Sequence, residues 1–109
     1  MYSELVSALK ALKCAAFEED EWSTRPEGDH GTVQLDFHAA QDSGNDEHQD
    51  TAWQGSVDLF THGPGWTQAA QVETVLESIC GAGWHLNLKA YEKETGLTHR
   101  EYVFEIEVL

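Results

Sequence analysis

Six histidines are the residues of this chain with the most obvious chemistry: His30, His38, His48, His62, His85 and His99. Imidazole binds metals and exchanges protons near neutral pH. A metal site needs such residues at spacings that a turn, helix or strand pair can converge, as in HxH or HExxH, and neither spacing occurs. In the strand assignment given below, His38, His85 and His99 take outward strand positions, while His30, His48 and His62 fall in loops. If His38 and His85 lay on neighbouring strands they would share a face with Asp36. The expectation is surface histidines and no metal. Cys14 and Cys80 lack a CxxC spacing and fall inside predicted helices, which predicts two buried, reduced thiols.

Other catalytic signatures are missing. Glu18, Glu19, Asp20 and Glu21 stand between Phe17 and Trp22. Adjacent acids repel and point apart, so this reads as a solvated loop pinned by two aromatics, not as a cation site. It also lacks the alternating acids, central Gly and closing Glu of an EF-hand. Gly63, Gly65, Gly81 and Gly83 flank a helix without phosphate-loop spacing. Gly55-Ser56-Val57 lacks the second Gly of a nucleophile elbow, and Ser56 falls mid-strand. Carboxylates paired for acid/base work need an apolar cleft, whereas the acids here sit in loops or on wet strand faces. The expectation is a protein without catalysis or cofactor.

The chain has 109 residues, 40% of them hydrophobic, with four Trp, four Phe and three Tyr. That fits one globular domain with a single core. No apolar run approaches the roughly 18 residues of a membrane span. The opening MYSELVSALKALKC has spaced apolar residues and Glu4 where a signal peptide has positive charge, so a cytoplasmic protein, or a particle assembled there, is expected. Twenty Asp and Glu against six Lys and Arg give a net charge of -14. This argues against specific nucleic-acid binding, because clustered cations carry phosphate affinity. It suits high solubility, a basic partner, or a surface that repels DNA.

The elements that position these residues follow from periodicity. Residues 3–14 carry Leu5, Val6, Leu9 and Leu12 at helical spacing, with Ser3 as a candidate cap. Residues 31–39 alternate as a first strand, with Val33, Leu35, Phe37 and Ala39 inward. Residues 41–50 contain no apolar side chain and read as a long hairpin loop. Residues 51–62 form the central strand: Trp53, Gly55, Val57, Leu59 and Thr61 share one face, and Phe60 breaks the polar one. Ala69, Val72, Leu76, Ile79 and Cys80 mark a second helix, ended by Gly81 and Gly83. Trp84, Leu86, Leu88 and Ala90 alternate in a third strand. Tyr102, Phe104, Ile106 and Val108 form the inner side of a last strand, opposite Glu101, Glu105 and Glu107. The expected fold is α+β in the order α-β-β-α-β-β. It is a four-stranded, mainly antiparallel sheet with two helices on one face.

Several phrases together resemble a known family: MYSELVSALKAL, the alternating residues 31–36, GSVDLFTHG at 55–63, the acidic helix after it, and YEKETGLTHREYVFEIEV at 91–108. The chain resembles small tail-completion proteins from the morphogenesis clusters of phages and prophages of Gram-positive bacteria. The related tail terminators of long-tailed phages share the α-β-β-α-β-β order and assemble as six-fold rings. The resemblance implies a structural protein of the virion tail, assembled in the host cytoplasm. It would cap the tail tube, stop its polymerisation and meet the head connector. Its partners would be further copies of itself in a hexameric ring, the tail-tube protein and a head-completion protein. Acidic channel linings in tails let DNA slide, which gives the charge a use. Asp42, Asp46, Glu47 and Asp50 in the loop, with Glu101, Glu105 and Glu107 on the last strand, are the candidate channel-lining or interface residues. Two other readings compete: an acidic DNA mimic that inhibits a DNA-binding enzyme, and a small enzyme or metal-binding domain using the histidines.

Overall fold

The computed structural model describes residues 1–39 and 52–107, with side chains for 1–36 and 52–107. The loop over 41–50, with Asp42, Asp46, Glu47 and Asp50, lies outside the described residues. The elements are α1 (Tyr2–Lys10), β1 (Ala16–Glu19), β2 (His30–Ala39), β3 (Ala52–His62), α2 (Trp66–Cys80), β4 (Trp84–Glu92) and β5 (Leu97–Glu107). The class is α+β, but the sheet has five strands, not four, in the order β1-β2-β3-β5-β4. β1 runs parallel to β2, and the other neighbours are antiparallel.

β1 occupies residues whose sequence reads as part of a loop. Phe17 is 6% exposed, and Gly31 makes room for it: a Cβ on Gly31 would strike the Phe17 ring and the Asp58 carbonyl. Asp20 then adopts φ +69, a left-handed turn that a short polar side chain tolerates. It donates its N–H to the Val33 carbonyl at 2.9 Å. α1 is shorter than the apolar stripe implied. Met1 takes the cap position in place of Ser3, and Cys14 lies beyond the helix.

The strand registers define cross-sheet rows. On the helix-covered face they read Leu35–Gly55–Phe104–Trp84, Val33–Val57–Tyr102–Leu86 and Gly31–Leu59–Arg100–Lys89. Leu5 and Leu9 of α1 and Val72 and Leu76 of α2 are fully buried in the same cluster as Val33, Val57, Tyr102 and Phe104. Gly55 is required because Phe104 lies across it, where a Cβ would collide with the ring. Burying a side chain such as Leu59 or Phe104 is worth about 1.5–3 kcal/mol, so this face holds the fold together.

β4 departs from simple alternation. Leu86 pairs with Tyr102 and Leu88 with Glu101, so Asn87 is an extra residue, a bulge. The bulge reverses the two faces beyond it. Leu88 and Ala90 turn to the open face, and Lys89 and Tyr91 to the helix side. The expected shared face for Trp84, Leu86, Leu88 and Ala90 is thereby corrected. His38 and His85 lie on β2 and β4, with β3 and β5 between them, so the site imagined with Asp36 does not form. Among the described residues, no helix is long and apolar enough to cross a membrane.

Candidate functional site on the open face

The face of the sheet away from the helices carries rows of a different kind: Gln34–Ser56–Val103–His85, Thr32–Asp58–Glu101–Leu88 and His30–Phe60–His99–Ala90. In the last row the three rings stack. His30 and Phe60 have centroids 5.2 Å apart at 19°, and Phe60 and His99 4.3 Å apart at 17°. Phe60, which interrupts the polar alternation of β3, is therefore the middle of a ring ladder.

The segment between β1 and β2 roofs this row. Arg25 places its Cζ 4.7 Å from the Phe60 ring centre and donates its Nε to His30 Nε2 at 3.0 Å. With Nε2 accepting, His30 Nδ1 donates to the Gly28 carbonyl at 2.8 Å, which fixes a neutral tautomer. Trp22 donates Nε1 to the Gly31 carbonyl at 3.1 Å and meets His30 edge-on. Asp29 ties three elements together. Its Oδ1 accepts the His62 N–H at 2.9 Å, and its Oδ2 accepts Gln68 Nε2 at 2.6 Å.

His99 is held differently from His30. Its Nε2 lies 2.7 Å from Asp58 Oδ1, and its Nδ1 lies 3.5 Å from Glu92 Oε2. The Asp58 hydrogen bond holds the imidazole pKa above its ordinary value against the opposing effect of burial. The charges of Asp58, Glu92 and Glu101 act in the same upward direction. Carboxylates thus occupy both ring nitrogens and favour the imidazolium. Such a histidine clasps β3 to β5. Among the described residues, no group of three His, Cys, Asp or Glu is placed to hold a metal ion. Cys14 and Cys80 are free and partly exposed, not fully buried. Burial pushes both thiols up, Cys80 to about 11, which disfavours the reactive thiolate.

The structure places Glu101, Glu105 and Glu107 together on the open side of β5. Glu101 accepts Asn87 Nδ2 at 2.9 Å and faces Asp58. Glu105 and Glu107 are exposed, opposite Gln54 and Ala52. The sequence reading missed Asp58, Phe60, His99 and Arg25 as a unit, and also Arg100 on the covered side. For Arg100 a signal existed: it has the same parity as Tyr102 and Phe104, so a cation was due on the apolar face.

No protein-family model matches the chain. No curated protein matches it either.

Proposed function

We propose that this chain is a structural subunit of a phage or prophage tail, a tail-terminator-like protein that closes into a ring and caps the tail tube. The carrying observation is that β4 has a free edge among the described residues. All nine of its residues lie on the rim of the sheet, with Leu86 43%, Leu88 42% and Tyr91 65% exposed. A long edge strand with apolar side chains offers an unpaired ladder to another chain. The opposite edge, β1, is acidic and chemically unlike β4. Contact between two different edges is heterologous, and heterologous contacts generate rings when the rotation closes. The whole-chain resemblance supplies the ring, the tube and the head-completion protein as partners. The acids of the open face supply a DNA-repelling surface.

The test is the mass of the protein in solution, alone and with tail-tube protein, together with tube length. A closed ring that halts tube growth supports the reading. A strict monomer that leaves tube length unchanged in the presence of tube protein overturns it.

A second reading, an acidic DNA mimic, rests on the net charge of -14. Two of the open-face acids, Asp58 and Glu101, are engaged by His99 and Asn87. That leaves fewer free charges to imitate phosphates. Failure to displace DNA from basic nucleases or repressors removes this reading.

A further inference from the structure

One corner of the covered face concentrates positive charge in a chain that is otherwise acidic. Arg100 is 2% exposed, and neither Nη1 nor Nη2 has a hydrogen-bond partner among the described residues. Its Cζ stands 5.2 Å from the centre of the Trp66 ring. Lys89, opposite Arg100 in the register, brings its Nζ to 4.0 Å from the same ring. Trp66 opens α2 and is 66% exposed. The helix begins with no side-chain cap and no acid in its first turn. Its positive dipole end has no countercharge from the helix itself; the carboxylate in the first turn is that of Asp29, on Gln68. Beside the corner lies a cleft of about 440 Å³ lined by Gly63, Pro64, Lys89, Ala90, Tyr91 and Thr98.

An unpartnered buried guanidinium is among the costliest groups a core can contain. Such a group calls for an explanation, of which a bound partner is one. We propose that this corner binds a carboxylate carrying an apolar body. The planar guanidinium matches a carboxylate through two parallel hydrogen bonds, and the Lys89 ammonium adds a second charge. Pro64, Ala90 and Tyr91 give the cleft an apolar wall for the rest of the ligand. A single negative charge fits better than a polyanion, which the net charge of the chain repels. Trp66 is the movable part. It stacks over both cations with most of its surface in solvent, and it swings aside as the carboxylate takes its place on Arg100. The cleft shares Tyr91 with the β4 edge proposed for the ring, so binding is read on the protein alone, without tube protein.

The experiment is a titration of the ¹⁵N-labelled protein with phenylacetate, followed by NMR, beside neutral phenylacetamide and inorganic phosphate. Phenylacetate is expected to shift the Thr67, Gln68 and Lys89 amides and the Arg100 guanidinium saturably. Because the site reads charge, phenylacetamide binds at least roughly tenfold more weakly, and Lys89→Ala weakens phenylacetate by about fivefold. Lys89 is exposed, so that variant folds and carries the test independently of Arg100→Met. No saturable change overturns the proposal. So does equal binding of the amide, which marks an apolar cleft alone, or binding of phosphate without phenylacetate.

Discussion

The two faces of the sheet treat charge in opposite ways. On the open face, His99 lies between Asp58 and Glu92, and Arg25 rests on His30 and Phe60. On the covered face, Arg100 is more deeply buried, with the Trp66 ring over it and, among the described residues, no hydrogen-bond partner for Nη1 or Nη2. The open face thus spends its polar groups on joining strands. The covered face derives its cohesion from apolar packing and carries Arg100 at a cost. The difference teaches that burial alone does not mark a structural charge; the partners do.

The strongest way to break the contrast is on the covered side. Phe104→Ala empties the space that Gly55 keeps open, and is expected to cost about 3–5 kcal/mol in urea unfolding. Arg100→Met then sharpens it. Replacing a buried, unpartnered cation by an apolar chain of similar length is expected to leave stability unchanged or raise it by about 1–4 kcal/mol, read as a higher unfolding midpoint. An equally large loss would mean that the guanidinium has a structural partner after all.

The smallest effect is on the open face. The folded pKa of His99 is raised, so the clasp contributes fully below the unfolded value of about 6.5 and fades as pH rises through the folded value. Asp58→Asn is expected to cost about 1–2 kcal/mol at low pH, to cost less at high pH, and to flatten the pH profile of the unfolding midpoint.

Much of the architecture was legible because its signals are local. Both helices and strands β2, β3 and β5 announce themselves by periodicity within about a dozen residues. β1 did not, because only Phe17 among its four residues turns into the core, and its parallel pairing is with residues fourteen positions on. The β4 bulge was illegible since Leu86, Leu88 and Ala90 alternate as well in a regular strand as in a bulged one. The His99 clasp joins residues 41 positions apart, and no spacing rule connects them. The candidate acids of β5 were placed on the correct face, but Asp58, which gives Glu101 its setting, was seen only as part of an alternation.

The parallel step from β1 to β2 has a geometric consequence. Ala16 pairs with His30, so the chain leaves β1 at Glu19 and must travel back along the strand before β2 begins. That return passes over the open face and deposits Trp22 and Arg25 across its His30–Phe60 end, while at the far end of β5 Glu105 and Glu107 are exposed among the described residues. The face therefore has polarity: one end is roofed by its own backbone, and the other carries the exposed acids of β5. A layer laid against this sheet would meet a surface with a front and a back, and could seat in only one direction.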